Sequence, residues 1–278
     1  MALLVDDPEI ARAFFERDRP WAAWPLCSLD WASWAHVRLW LDAGAGAAVW
    51  VFEHPSWGAS VQTFGAGPPL ERLIRSATLP RSAFVRLSDA PARETLGRRY
   101  RLHEFETVVR MHVTPSWFRP PADAPTARAL GHADGTELAR LYAGWPETRF
   151  HVGRLRRGYR YQGVRQSGRL VAVAENLLRS RQHGVAVIQG VYVHPDWRGR
   201  GLAQAVTAGL TANLFSEGAR DVVLDVRADN TAALAAYERL GYRRHRVFLG
   251  GPAQTKVPSR ESRVPSRDFV LGTDDLGP

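Results

Sequence analysis

The chain has 278 residues, of which 45% are hydrophobic, so we expect one large or two smaller globular domains rather than a disordered chain. Its net charge of +9 is carried almost entirely by arginine, since Lys256 is the sole lysine, and the mostly scattered arginines argue against a nucleic-acid-binding protein. The apolar runs are too short for a membrane span, the N-terminus lacks a basic leader, and the single Cys27 excludes an internal disulfide or a cysteine-cluster metal site. A cytoplasmic protein is therefore expected.

A mixture of helices and strands is predicted for the first half of the chain. Its elements are a helix that Asp7 and Pro8 open and that runs to about Asp18, strands at 47–54, 82–88 and 101–113, and a helix at 71–77. Four prolines between residues 115 and 125 then predict an inter-domain linker. The tryptophans at positions 21, 24, 31, 34 and 40 form either part of a core or a flat wall that binds an acceptor.

The second half predicts a mixed sheet flanked by helices, the α/β (α+β) class. Its elements are a helix from Asp134 to about Tyr142, two strands joined by a turn at 166–169, strands at 186–193 and 221–226, helices at 199–217 and 230–240, and a strand near 242–249. After Gly251 the composition turns polar and VPSR occurs twice, which is typical of a mobile tail. We therefore predict domains at 1–114 and 128–251, a linker at 115–127 and a disordered tail at 252–278.

The stretch RGRGLA, Arg198 to Ala203, lies between a predicted strand and a predicted helix. The first N–H groups of a helix lack intrahelical partners and carry partial positive charge, so a helix start binds anions. The glycines and Ala203 let the backbone approach a diphosphate, and the two arginines can add charge-assisted hydrogen bonds. The stretch is no P-loop, which needs Gly-Lys-Ser/Thr, and no dinucleotide fingerprint, because Gln204 replaces the third glycine. A turn with solvated arginines explains these six residues equally well.

A second pattern lies downstream, in RADNTAALAAYERLGY. Asn230 can cap a helix there, and Gly241 is placed to end it. The two patterns together fit R-x-x-G-x-A and N-x-x-A-x-x-x-Y-x-x-x-G-[FY] at Arg198, Gly201, Ala203, Asn230, Ala233, Tyr237, Gly241 and Tyr242. Over about residues 128–250 the chain thus resembles the acyl-CoA-binding core of the GNAT superfamily of N-acyltransferases.

The resemblance implies a GNAT fold with acetyl-CoA or another acyl-CoA as co-substrate and without a metal; the first half resembles a second, degenerate GNAT-like unit in tandem. It implies that the strand ending in Val193 splays from its neighbour and pairs with pantetheine, and that the loop after it receives the pyrophosphate. It also makes Tyr237 the general acid, although a core aromatic is the other interpretation. The residues that it assigns to the cofactor are Val191, Tyr192, Val193, Arg198, Gly199, Arg200, Gly201, Leu202, Ala203, Asn230 and Ala233.

The general base is less clearly indicated. Glu175 lies among apolar residues of a predicted strand, so a carboxylate there is either exceptional or relieved by a bulge. Burial would raise its pKa, but it can also face solvent at a strand end. His194 has a suitable ordinary pKa, yet Pro195 indicates that it only ends a strand. Gln189 stands near the position where some relatives carry an acid and cannot act as a base, so a proton route through water is a further alternative.

The leading hypothesis is an acyl-CoA-dependent N-acyltransferase that transfers acetyl to a primary amine by direct attack in a ternary complex. The acceptor would be a small molecule or a peptide, and the protein a monomer or homodimer that contacts neither nucleic acid nor membrane. One alternative is a non-catalytic acyl-CoA-binding regulatory module, against which Tyr237 argues. The other is a basic nucleic-acid-binding protein, whose affinity would fall steeply with salt.

Overall fold

The computed structural model describes residues 3–29, 31–55, 58–123, 125–145, 150, 153–156 and 159–256. The elements in chain order are β1 (Leu3–Val5), α1 (Pro8–Phe15), α2 (Ala23–Cys27), α3 (Trp31–Trp34), β2 (Val37–Asp42), β3 (Ala47–His54), β4 (Gly58–Phe64), α4 (Gly67–Ser76), β5 (Ser82–Leu87), α5 (Ala92–Gly97), β6 (Tyr100–Leu102), β7 (Glu106–Val113), β8 (Arg128–Leu130), α6 (Gly135–Ala143), α7 (Gly153–Arg156), β9 (Arg160–Gln166), β10 (Arg169–Ser180), β11 (Val185–Val193), α8 (Leu202–Ser216), β12 (Asp221–Arg227), α9 (Thr231–Arg239) and β13 (Arg243–Thr255). They form two compact units. Within the described ranges, the first holds 3–18, 28–108 and 247–256, and the second holds 19–27 and 109–246.

The first unit contains a sheet in the order β1-β2-β3-β4-β5, continued by residues 247–255 of β13. Neighbouring strands are antiparallel except β4 and β5, which are parallel and are connected through α4. Helix α1 begins where the sequence predicts, because Asp7 accepts a hydrogen bond from the backbone N–H of Glu9 at 2.8 Å. Buried residues of β3, β4, β5 and α4 form the core of this unit.

The second unit contains a sheet in the order β7-β12-β11-β10-β9-β8, with residues 243–246 of β13 at its other edge. Here too one pair is parallel, β11 with β12, and α8 connects its two strands. The stripe of Leu202, Val206, Leu210 and Leu214 on α8 is buried in the core, as its spacing predicts. The predicted GNAT-type sheet, mixed and flanked by helices, is confirmed.

The two units repeat one order of elements. After an initial strand and helices, each has three antiparallel strands, then a helix, a strand parallel to the third, another helix and a closing strand. The loop before the connecting helix also repeats: Gly65 and Gly67 precede or begin α4, Gly199 and Gly201 precede α8, and all four have positive φ. The tandem arrangement expected from the sequence is consistent with this repetition.

Two sequence predictions differ from the structure, and one open alternative is decided. The strand predicted at 101–113 is broken into β6 and β7, with Glu104 at a φ of 44° between them. The predicted tail starts too early, because residues 252–255 pair with β5 and β6 as part of β13; residues from 257 onward lie outside the described ranges. Trp21, Trp24 and Trp40 are buried, which favours the core interpretation of the tryptophans over an acceptor wall.

The predicted linker at 115–127 begins with residues that belong to the second unit. Trp117 and Phe118 pack against its core, and the backbone N–H of Arg119 donates to the carbonyl of Leu240 at 3.0 Å. A Cβ on Gly241 would approach the carbonyl oxygen of Trp117 to an impossible distance, and the φ of Gly241 is 89°. Glycine at position 241, after the end of α9, is therefore required for two reasons: the backbone conformation and this packing.

Candidate functional site

The two parallel strands of the second unit separate before they end. β11 and β12 pair up to Ile188 and Leu224, yet β11 continues to Val193 and β12 to Arg227. The separation expected from the resemblance is therefore present, and we call the gap beyond Ile188 and Leu224 the fork. Val191 and Val193 are partly buried against the core, so their side chains pack while the β12-facing edge of their strand is not paired with β12.

The loop RGRGLA follows a short 3-10 helix at Pro195–Trp197 and leads into α8. Gly199 and Gly201 have φ values of 74° and 70°, a left-handed conformation that favours glycine. Among the described residues, no atom lies within 4 Å of where a Cβ on Gly199 would stand. Gly201 occupies the N-cap position, so no side chain caps the first N–H groups of α8, which begins with the buried Leu202 and the partly buried Ala203. These groups are suited to an anion.

Arg198 and Arg200 are exposed in this loop. Nε of Arg198 donates to the carbonyl of Val193 at 3.3 Å, which connects it to the end of β11. Arg200 lies over the ring of Trp197, with 4.6 Å between Cζ and the ring centroid, and donates to the carbonyl of Asp196 at 3.4 Å. Among the described residues, no salt bridge joins either arginine to an acidic side chain.

Helix α9 has the cap that the sequence predicts. Oδ1 of Asn230 accepts a hydrogen bond from the backbone N–H of Ala233 at 3.1 Å. Tyr237 is buried, with its ring centroid 6.0 Å from that of Tyr242, and burial raises the pKa of its phenol above the ordinary value. A phenol with a raised pKa is protonated at neutral pH and can donate a proton.

Glu175 is buried within β10, not at a solvent-facing strand end. The pairing of β10 with β11 shifts register between Val173 and Glu175, which is the bulge proposed as one explanation for a carboxylate there. Burial raises the pKa of Glu175, and the positive charge of Arg154 opposes that rise. Nη1 of Arg154 lies 3.0 Å and 3.2 Å from the two carboxylate oxygens, and both side chains are buried. The carboxylate is therefore part of a buried ion pair.

Tyrosines surround this pair and the adjacent turn of β11. Tyr161 stands opposite Glu175 in the pairing of β9 with β10, and its hydroxyl lies beside the ion pair. The hydroxyl of Tyr142 donates to the carbonyl of Gly190, and that of Tyr192 donates to the carbonyl of residue 144, both at 2.9 Å. Gly190 has a φ of 61°, and a Cβ there would lie 3.0 Å from Oε2 of Glu175. Glu175 thus lies against the backbone of β11 at the fork.

The other base candidates are arranged differently. Nδ1 of His194 accepts a hydrogen bond from the backbone N–H of Asp196 at 3.4 Å and lies 3.6 Å from its carboxylate, so His194 ends β11 and caps the next turn. Gln189 pairs with Glu175 across β10 and β11. Sequence reasoning missed Arg154 and Tyr142, since nothing local to either residue indicates a contact with Glu175 or Gly190.

Neither a metal site nor a membrane-spanning helix is present in the part of the chain that the structure describes. Within it, no cluster of three or more histidine, cysteine, aspartate or glutamate side chains is arranged to hold a metal ion. Within it, no helix combines the length and the apolar character needed to cross a membrane.

The geometry defines an α/β protein with a forked parallel strand pair and an uncapped helix start beside it. A family model described as the acetyltransferase (GNAT) family matches residues 127–242, so this part of the chain is a GNAT-family acetyltransferase domain. The chain is 29% identical over 134 residues to the aminoglycoside N(6')-acetyltransferase type 1 of Stenotrophomonas maltophilia. That alignment covers 44% of this chain and 88% of that enzyme. Four further acetyltransferases match over only 50 to 60 residues, and the chain spans 20% to 42% of their length.

Solved structures extend the likeness in fold beyond that domain. A GNAT-family protein of Novosphingobium aromaticivorans aligns with a TM-score of 0.53 at 23% identity and covers 74% of this chain and 89% of its own. A tandem GNAT protein from the clavulanic acid biosynthesis pathway aligns with a TM-score of 0.51 at 15% identity, covering 80% of this chain and 84% of its own. At these identities the likeness concerns the fold alone.

Proposed function

We propose that the second unit transfers an acetyl group from acetyl-CoA to a primary amine by direct attack in a ternary complex. The observation that carries the proposal is the open, uncapped start of α8 next to the fork. A diphosphate at that helix start and an extended thiol arm along the unpaired edge of β11 would use both features at once. The backbone N–H groups of α8 and the side chains of Arg198 and Arg200 would hold the diphosphate.

The remaining cofactor contacts follow from the fork. Val191, Tyr192 and Val193 would offer backbone groups to pantetheine, because β12 does not pair with this part of β11. Asn230 uses Oδ1 for its cap, which leaves its Nδ2 to donate to the same ligand. Ala233, one turn into α9, would let the ligand approach the helix.

The chemical step transfers one acyl group and two protons. The neutral amine attacks the thioester carbonyl carbon, the C–N bond forms, and the C–S bond breaks as the tetrahedral intermediate collapses. Tyr237 donates its proton to the leaving thiolate; burial raises the pKa of the phenol, which keeps it protonated until the thiolate leaves. Glu175 accepts, directly or through water, the proton that the ammonium group gives up before attack, with Arg154 holding its carboxylate. The second proton, which the nitrogen loses after the C–N bond forms, restores the phenol of Tyr237. No covalent acyl-enzyme is needed, and Cys27, buried against β11, takes no part.

The first unit, in this proposal, is a degenerate GNAT-like unit in the same chain, at about the predicted domain 1–114. The acceptor is a small-molecule or peptide amine; the name of the aminoglycoside acetyltransferase relative supports a small molecule. We place the enzyme in the cytoplasm, as a monomer or homodimer.

A paired measurement tests the function. Calorimetry with CoA and a thiol-release assay with acetyl-CoA over a library of amines are run on the full chain and on Tyr237→Phe. The enzyme should bind CoA and release thiol with at least one amine, and the variant should keep binding while its turnover falls about a hundredfold or more. Binding without turnover for any amine would favour the alternative, a non-catalytic acyl-CoA-binding module. Tight duplex DNA binding without CoA binding would reject both.

A further inference from the structure

Arg110 on β7 is a buried charged residue of the second unit that bonds to two separate parts of the chain. Its side chain is fully excluded from solvent. Nε and Nη2 each lie 2.7 Å from one carboxylate oxygen of Asp225, a bidentate pair. Nη1 donates to the carbonyl of Trp21 at 2.8 Å and to that of Pro20 at 3.3 Å. One guanidinium group therefore joins β12 to a segment from the beginning of the chain.

Asp225 lies where the pairing of β12 with β11 ends. It directly follows Leu224, the last residue of β12 that pairs with β11. Beyond that pair the position of β12 no longer depends on hydrogen bonds to β11, so the bond to Arg110 helps to fix where this side of the fork lies. A bidentate arginine–carboxylate pair constrains direction as well as distance.

Opposite Asp225, Nη1 of Arg110 donates to the segment Arg19–Cys27. This segment belongs to the second unit, although the family model begins at residue 127. Trp21 is 1% exposed and lies between two guanidinium groups, 5.0 Å from Arg110 and 5.2 Å from Arg246. Arg19 pairs with Asp221 at the start of β12, and α2 packs against β10 and β11. The segment thus contacts the strands on both sides of the fork.

We propose that Arg110 is a positioning residue that, anchored on the segment 19–27, sets the fork between β11 and β12 for acyl-CoA. The proposal rests on the proposed function, since it assigns the fork to that ligand. It makes the N-terminal segment part of the acetyltransferase site, and it predicts an effect on CoA affinity from residues that do not touch CoA.

The test measures CoA affinity by calorimetry on the full chain. Arg110→Met alone would remove the guanidinium group that holds the Asp225 carboxylate and can prevent folding, whereas the double variant Arg110→Met, Asp225→Leu removes both charges together and preserves packing. The dissociation constant for CoA should rise about tenfold in the double variant. Hydrogen exchange should quicken at 189–193 and 225–227, with the amides of α8 unchanged. Thr211→Val, which removes the hydroxyl pair with Tyr242 away from the fork, is the control and should bind CoA normally.

The outcomes separate the two proposals. If the unmodified chain does not bind CoA, the proposed function fails. If it binds CoA and the folded double variant binds equally well, the role of Arg110 is rejected. Arg110→Lys provides a second route if the double variant does not fold: the compact ammonium group of lysine cannot reproduce the bidentate pair with Asp225, so a lower affinity is expected and an unchanged one overturns the proposal.

Discussion

Nη1 of Arg154 lies within hydrogen-bonding distance of both carboxylate oxygens of Glu175, at 3.0 Å and 3.2 Å, in a place that excludes solvent from both side chains. Burial alone would favour a protonated, neutral Glu175, and the guanidinium charge opposes this. The pair therefore sets the protonation of the proposed base: Arg154 makes the carboxylate available as an anion, while burial keeps its proton affinity above that of an exposed glutamate.

Replacing Arg154 with Met should move the pH dependence of catalysis. Without the guanidinium the pKa of Glu175 rises further, so a larger fraction is protonated and inactive as a base at a given pH. The acid limb of kcat/KM should shift to higher pH by about one to two units. The measurement is a pH–rate profile with the best amine from the library.

Two variants complete this experiment. Arg154→Lys keeps a positive charge near Glu175 and should give a smaller shift than Arg154→Met. Glu175→Gln should remove the acid limb together with most of the turnover. An acid limb that stays in place in Arg154→Met, while the protein remains folded, would show that Glu175 is not the base.

The loop before α8 allows a matched pair of glycine variants. Gly201 and Gly218 have φ values of 70° and 98° at the two ends of the helix, and alanine is disfavoured in that region by roughly 1–2 kcal/mol. Gly201→Ala should lose both stability and CoA affinity, because it distorts the N–H groups proposed to bind the diphosphate. Gly218→Ala should lose stability alone. Thermal unfolding and CoA calorimetry distinguish them, and equal CoA affinity in both variants would argue against the anion site at this loop.

Features coded by neighbouring residues could be predicted from the sequence. The glycine positions of the loop, the Asn230 cap and the apolar stripe of α8 each depend on contacts within a few residues, and the structure has all three. Strand ends could be predicted less well, because β13 continues through residues 252–255 by pairing with β5 and β6. The composition of a segment does not show whether another strand will pair with it.

Contacts between distant parts of the chain could not be predicted from the sequence. Arg154 is one of many arginines in the sequence, and 21 positions separate it from Glu175. Arg110 and Asp225 are 115 positions apart. In each case an arginine in the sequence has many possible carboxylate partners, and only the arrangement of strands and helices selects one. The candidate site therefore includes residues, such as Arg154 and Arg110, that no sequence motif identifies.

Asn230 can be tested for its two roles separately. Asn230→Asp keeps an oxygen that accepts from the N–H of Ala233, so the helix cap is retained, but it replaces the Nδ2 donor with a negative charge. This variant should keep its stability and lose CoA affinity. Asn230→Ala should lose about 1 kcal/mol of unfolding free energy as well. If Asn230→Asp binds CoA as well as the unmodified chain, Asn230 acts as a cap and not as a ligand.

The loop before α4 should not bind a second CoA. The backbone N–H of Gly67 already donates to Oδ2 of Asp89 at 3.0 Å, and the next two residues, Pro68 and Pro69, have no N–H to offer. An internal carboxylate and two missing donors thus take the place of an anion site, although Gly67 has the same left-handed backbone conformation as Gly201.

Calorimetry should therefore give one CoA per chain, and Arg198→Glu, which reverses a charge in the loop before α8, should abolish that binding. Asp89→Asn, which weakens the contact to Gly67 without changing the prolines, should leave the stoichiometry at one. Two CoA molecules per chain, or binding that persists in Arg198→Glu with unchanged affinity, would contradict the assignment, because the diphosphate would then be held elsewhere than at the start of α8.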